Sequence, residues 1–451
     1  MLLFLVKTIA GMAVLLVYTY YYPSSDFHLY FRDSKTIVDH FFSGSSHFVL
    51  QGWNSSFDEA FFNNSRVIIS INVLLQLFSF NNIFVHILFF CFFSFIGLTA
   101  LYKAFLKYFP QKNFLLVIGI YLVPSVLFWT AGIYKETVSI ACVGLLIYTC
   151  DFGLQKAYSR GQLLFTVFLI VALFFVKIHV AAAIIPLLAV NYFFSRSGNK
   201  KLGLKYLLVF LSLLLMVHLL SIISEKSNVY KMIADKQAKA ISEAEGGMFL
   251  LNDRNFIRVD HGHPEILEMQ SDSSFRIKKG SSYLSWKLDN MRDTSFISNS
   301  TDSSVFQMHY AIIPVKTVVN VDRLEPSFWI IMKNLPFAIA CVIIQPSIFN
   351  IANGLQLLAA VENMWLMLLI ILALVFFDKK ILKHKEIVFF SVFFALIQFA
   401  EIGLMTPAVG AMVRYKVTAL PFLVTACLLC IDFPAIGRLL MKPKSPDSYK
   451  E

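Results

Sequence analysis

Residues 18–39 read YTYYYPSSDFHLYFRDSKTIVD, and they begin where an apolar run gives out. Tyrosines at the end of such a run mark a membrane boundary, because an amphipathic ring prefers the headgroup zone. Residues 3–22 therefore read as a first membrane-spanning helix. No small-residue cleavage pattern follows it, so a retained helix is expected and not a removed signal segment. Asp26, His28, Arg32, Asp33, Lys35 and Asp39 come just past it. A carboxylate beside low-dielectric material keeps its charge only with a partner, and its field there acts strongly on whatever binds. Asp26 is the leading candidate for a catalytic group. The plain alternative is a solvated loop after a first helix, so the placement of the other charges decides its weight.

Composition sets the class. The 451 residues are 57% hydrophobic and only 15% charged, with 46 phenylalanines, many in apolar runs such as ILFFCFFSF. Mean hydropathy is +0.68. No soluble globular domain of this size approaches that balance. The expectation is an all-α polytopic membrane protein, since lipid leaves no partner for open backbone groups and helices satisfy them internally. The net charge of +11 does not point to nucleic acid, because the basic residues cluster in short loops as the positive-inside rule requires. The six cysteines lie in or at the ends of apolar runs without metal-ligand spacing, and read as small apolar fillers.

Three stretches organise the chain: N-terminal membrane helices over 1–223 with an external loop at 23–66, an external loop domain over 224–325, and a C-terminal part over 326–451. In the first, an amphipathic piece near 34–42 precedes a polar stretch with Trp53, Asp58 and Glu59. The segment 66–80 is too short to span, whereas 83–102 spans. Segments 113–131 and 137–150 form a hairpin joined by WTAGIYKE at 129–136; helices near 162–176, 180–194 and 206–223 follow. Lys103, Lys107 and Lys112, then Lys156 and Arg160, then Arg196, Lys200, Lys201 and Lys205 mark the cytoplasmic turns. Within 224–325 a helix at 229–244 is stopped by Gly246 and Gly247, and NFIRV and TVVNV read as short strands. With no core-sized apolar content, this region is expected to lean on the membrane part. Lys333, Pro336 and Gln345-Pro346 interrupt 327–345, which reads as a re-entrant or interfacial helix pair. Crossings at 356–377, 387–404 and 411–431 and a basic tail with Lys442, Lys444 and Lys450 complete the chain. The count comes to about ten crossings, with both termini cytoplasmic.

On this topology the ionisable residues near helices gather at outer ends: Lys135 and Glu136, Lys177 and His179, Glu362, Glu401, and Arg414 with Lys416. A charge inside the bilayer costs about 2.5 to 3.5 kcal/mol, so several at one depth imply a shared wet cavity lined by protein. Each also has a structural reading. Lys135 and Glu136 could merely pair, His179 could be a satisfied interfacial histidine, and Glu401 a helix-end charge in water. Arg and Lys at that boundary suit a phosphate, and a lone carboxylate opposite suits general-base work on a sugar hydroxyl. A lipid-linked phosphosugar presents both requirements at once.

Asp26 just after the first helix, the long external loop late in the chain and the paired external hairpins resemble the GT-C superfamily of integral-membrane glycosyltransferases. PSVLFWTAGIYKE, LAAVENMW and GAMVRYKVTALPF further resemble membrane proteins of bacterial surface-polysaccharide loci. The resemblance implies a polyprenyl-phosphate sugar donor, a glycan or lipid-linked acceptor, and the bacterial inner membrane. It puts Asp26 at the catalytic acidic position and Lys135, Arg414 and Lys416 on the phosphate, with Glu136, Glu362, His28, Arg32 and His179 as further substrate-binding candidates. Many members carry two adjacent acidic residues in that loop, whereas Asp26 is followed by Phe27. No metal or other cofactor is therefore carried over. Rival readings are a polysaccharide polymerase of the O-antigen type, a lipid-linked sugar transporter or flippase, and a non-catalytic anchor. Asn54, Asn63 and Asn299 begin N-x-S/T patterns, which occur by chance at this length.

Overall fold

The computed structural model describes residues 1–21, 26–43, 65–155, 157–195, 202–223, 228–251, 255–259, 267–271, 274–278, 283–287, 290–297, 305–312, 315, 317–319 and 321–440. Trp53, Asp58 and Glu59, Lys156, Arg196, Lys200 and Lys201, the tail lysines Lys442, Lys444 and Lys450, and Asn54, Asn63 and Asn299 lie outside these residues. The chain divides into two units. Met1–Leu214, Leu357–Phe399 and Val413–Glu451 make the first, and Leu215–Gln356 with Ala400–Met412 the second.

The helices in order are α1 (Leu2–Tyr20), α2 (Asp26–Phe42), α3 (Ser65–Ser79), α4 (Ile83–Leu106), α5 (Asn113–Tyr121), α6 (Pro124–Trp129), α7 (Lys135–Cys150), α8 (Arg160–Ser195), α9 (Leu202–Ile223) and α10 (Val229–Glu245). After the strands come α11 (Phe328–Ile344), α12 (Gly354–Val375), α13 (Lys385–Met405), α14 (Val409–Tyr415), α15 (Leu420–Cys430) and α16 (Phe433–Leu440). Among the described residues seven helices are long and apolar enough to cross a membrane, or eight if α14 and α15, bent by 67°, make one broken span. This is an all-α polytopic membrane protein, and among the described residues its candidate spans are fewer than the ten crossings the hydropathy pattern implied.

The difference has local causes. Pro124 disfavours helix at the residue before it, so 113–131 splits into the short α5 and α6 with Val123 extended at φ −65°, ψ 120°. The helices read at 162–176 and 180–194 are both present, running on from one another in α8 across a kink at Lys177, whose φ −150°, ψ 87° is not helical. The segment 327–345 is the single helix α11 and not a pair. In contrast, α3 is a short apolar helix, as its length foretold. The amphipathic piece near 34–42 is longer than expected and starts at Asp26 itself.

In the first unit α7 is the central strut, with 83% of its span buried. It lies tightly on α4 through glycine: a Cβ on Gly144 would stand 1.9 Å from the Gly97 carbonyl oxygen. Small residues let membrane helices approach this closely, since no hydrophobic drive separates helix from lipid. All six cysteines are free and buried.

A buried polar chain fastens α2 and α3 onto α4. The His86 ring contacts Asn72 Oδ1 at 2.7 Å and Ser79 Oγ at 2.9 Å, and Gln76 Nε2 donates to Ser34 Oγ at 3.3 Å.

The second unit carries α10, ended by Gly246 at φ 73°, and an antiparallel sheet of β1 (Gly247–Leu251), β2 (Asn255–Val259), β3 (Leu267–Ser271), β4 (Ser274–Ile277), β5 (Tyr283–Lys287), β6 (Asn290–Ile297) and β7 (Val305–Ile312). The strand order is β3-β4-β7-β1-β2-β5-β6. NFIRV is β2, whereas among the described residues of TVVNV Val318 makes an isolated bridge to Ala408. Alternation directs Leu250, Ile257, Val259, Phe275, Ile277 and Phe306 to one side, so the sheet has a small core of its own, contrary to the expectation that it lacked one. Glu401 lies in this unit.

Candidate functional site

Four elements bring charge to one place in the first unit. Asp26 is the first residue of α2, where a carboxylate is favoured by the helix dipole. Lys135 and Glu136 open α7, Lys177 sits at the break in α8, and Arg414 ends α14. Arg414 Nη2 donates to Asp26 Oδ2 at 3.2 Å across 388 residues of chain. The same guanidinium places Nε 3.7 Å from Glu136 Oε1, and Lys177 Nζ donates to that oxygen at 3.0 Å. Lys135, partly buried, stands within electrostatic reach of Asp26, Glu136, Arg414 and Lys177.

The cluster is graded from floor to mouth. Glu136 and Lys177 side chains are 3% and 5% exposed, Arg414 19%, and Asp26 45%. Aromatic rings wall it. Arg414 lies over the Tyr134 and Tyr415 rings at 5.7 and 5.1 Å, and Lys177 over Tyr415 at 5.2 Å. Behind them Tyr18, Phe27, Trp129 and Tyr134 pack with centroids about 6 Å apart. Burial pushes the Tyr30 phenol up, with the nearby Asp26 charge adding to it, and burial does the same to Tyr134. Both phenols therefore stay protonated at neutral pH.

Three cations face two carboxylates here; Arg414 Nε makes no hydrogen bond, but it is buried and faces the Glu136 carboxylate at 3.7 Å. Lys135 and the Nη2 side of Arg414, beside the half-exposed Asp26, are the cationic groups placed to meet an oxyanion at the mouth. His28, two residues on from Asp26, meets the Tyr18 carbonyl at 3.2 Å. It also lines an apolar groove of about 360 Å³ with Leu15, Leu16, Tyr20, Ile83 and Phe84. Arg32 is exposed and pairs with Asp33 at 3.8 Å, so it points its charge to a neighbour on its own helix. His179 follows two residues after the break at Lys177 and is partly buried.

Glu362 and Lys416 form a second, sealed group. Lys416 is fully buried, donates to Asn363 Oδ1 and lies within electrostatic reach of Glu362. Glu362 Oε2 accepts from the Ser125 backbone N–H at 2.6 Å, which caps the N-terminal end of α6. The C-terminal end of α6 is held by Lys7, whose Nζ donates to the Val126 and Leu127 carbonyls at 3.4 and 3.3 Å and to Thr130. A six-residue helix thus carries a buried anion at one end and a buried cation at the other.

Lys7 and the pairing role of Lys177 were missed in the sequence. The signal for Lys7 was a lone lysine inside the first apolar run. For Lys177 it was a cation midway between two apolar segments. Among the described residues no three His, Cys, Asp or Glu side chains gather as a metal would need. No protein-family model, no curated protein and no solved structure matches the chain.

Proposed function

We propose that the chain is a membrane glycosyltransferase of the GT-C kind, taking a sugar from a polyprenyl-phosphate donor at the non-cytoplasmic face in cell-surface polysaccharide or glycoconjugate synthesis. The observation that carries this reading is the Asp26–Arg414 contact at 3.2 Å, at the half-exposed mouth of a cluster in which three cations face two carboxylates. At rest the guanidinium holds the base. A donor phosphate arriving on Arg414 and Lys135 takes that place and frees the Asp26 carboxylate for an acceptor hydroxyl.

In transfer, the acceptor oxygen bonds to the anomeric carbon as the bond from that carbon to the phosphate oxygen breaks. The proton of the hydroxyl passes to Asp26, and the electron pair stays on the phosphate beside Arg414 and Lys135. Glu136 and Lys177 lie too deep to exchange with water and keep Arg414 in place. The apolar groove ending at His28 suits the prenyl tail of such a donor.

The test is the set of lipid-linked glycans in cells lacking the protein, restored with the wild type, Asp26→Asn or Arg414→Ala at matched expression. Both variants should leave the unconsumed lipid-linked sugar to accumulate. Full transfer by Asp26→Asn removes the base role. Loss in Arg414→Ala with transfer kept in Asp26→Asn favours the polymerase reading, where a cation matters more than any base.

A further inference from the structure

At the other end of α7, some sixteen residues or about 24 Å from Glu136, the first unit has a second cavity. Its volume is about 570 Å³, and its lining includes Lys103, Lys107, Asp151, Gln155, Gln162 and Phe165. Three helix ends meet there: the C-terminal turns of α4 and α7 and the first turn of α8. The backbone at its floor is unusual. Asp151 and Phe152 take left-handed φ values of 51° and 55°, a region that side chains with a Cβ disfavour.

Tertiary contacts hold this turn. The Phe152 ring packs on Phe105 and Phe390 at 5.0 and 5.6 Å, and Asn191 Nδ2 donates to the Phe152 carbonyl at 2.8 Å. The turn presents the Asp151 carboxylate to Lys107 and to the Tyr108 hydroxyl, the latter at 2.7 Å. Lys107 is thereby neutralised. Lys103, one helical turn earlier, is exposed and among the described residues has no acidic or hydrogen-bonding partner. Gln162 spends its carbonyl on the start of α8, accepting from Ser159 N at 3.0 Å, while its own N–H returns to Ser159 Oγ at 3.2 Å. Among the described residues its side-chain amide nitrogen has no acceptor. Exposed Tyr148 and Phe165 supply an apolar wall beside these donors.

An uncompensated ammonium and an unspent amide at the rim, against exposed aromatic surface at the end of membrane helices, define the ligand chemistry. A phosphodiester anion with hydrocarbon attached satisfies both halves, and basic pockets between membrane helices commonly take such headgroups. We propose that this cavity binds the phosphate of an anionic phospholipid, with Lys103 and Gln162 on the phosphate and its acyl chains along Tyr148 and Phe165. The site is separate from the Asp26 cluster and does not rest on any reading of it.

The test is native mass spectrometry of the full chain in detergent, stripped of lipid and titrated with phosphatidylglycerol or phosphatidylcholine. Phosphatidylglycerol should be retained over phosphatidylcholine. Its affinity should fall roughly fivefold in Lys103→Gln and roughly thirtyfold in Lys103→Glu, as for one and two charges beside an anionic headgroup. Lys380→Gln, another exposed lysine, should leave it unchanged. Equal retention of the two lipids, no loss in Lys103→Glu, or equal loss in Lys380→Gln overturns the proposal. Displacement of phosphatidylglycerol by millimolar inorganic phosphate also overturns it, since a soluble phosphate would then be the ligand.

Discussion

Arg414 and Lys416 stand two residues apart in the sequence and serve opposite kinds of site. Arg414 faces a cluster graded toward water, with Asp26 nearly half exposed. Lys416 is sealed, and its neighbours Asn363 and Glu362 are buried with it. Lys416 opens the 3-10 turn Lys416–Thr418, which leads into the bend of the broken helix. A buried charge pair that cannot exchange its partner fixes shape, and one with a route to water can trade its partner for a ligand. Burial, more than residue type, separates the scaffold from the candidate site.

That contrast can be broken by substitutions that affect stability and activity unequally. Removing one member of the deepest pair should have the largest effect on stability. Glu136→Gln or Lys177→Met alone should destabilise by about 3–5 kcal/mol, because each leaves a buried charge uncompensated. The double variant should recover much of that loss. Thermal unfolding in detergent measures both, and additive losses would show that the pair is not coupled.

Next come the two ions of α6. Lys7→Met should cost about 1–3 kcal/mol by leaving the Val126 and Leu127 carbonyls without their donor. Glu362→Gln should cost less, since an amide oxygen still accepts from Ser125 N–H, at about 1 kcal/mol. If Glu362→Gln abolished transfer while stability held, the sealed group would belong to the reaction and the contrast would fail.

The smallest effect on stability should come from Asp26→Asn, under about 1 kcal/mol, since a half-exposed ion pair is screened by water. The same variant should reduce transfer by a factor of about 10² to 10⁴, the usual contribution of a positioned acid or base. Thermal unfolding and glycan transfer, measured on one preparation, check the two together. A large stability loss there would make Asp26 a structural partner of Arg414.

Much of the first unit was legible residue by residue. Asp26, Lys135, Glu136 and Arg414 stood out because a charge next to a long apolar run needs a reason, and four of the marked positions meet. Lys177 was marked only as a cation between two apolar segments; its carboxylate partner lies 41 residues away on another helix. Glu362 and Lys416 were read with the same site because depth along a helix says nothing about which face a side chain takes. The strands of the second unit were only partly visible: NFIRV alternates cleanly, whereas TVVNV alternates and still pairs at one bridge. Pairing needs a partner edge, which no local pattern supplies.

Hydropathy and the scarcity of charge determined the membrane class and the longest apolar helices, though not the number of spans, because the cost of exposing backbone to lipid falls locally, within each run of about 20 residues. Which charges meet was decided by packing. The break at Lys177, the glycine contact of α4 with α7 and the turn after Tyr415 are set by contacts between distant segments. They place Arg414 beside Asp26 and bury Lys416 two residues later, an outcome that depends on positions in space that no stretch of the chain specifies alone.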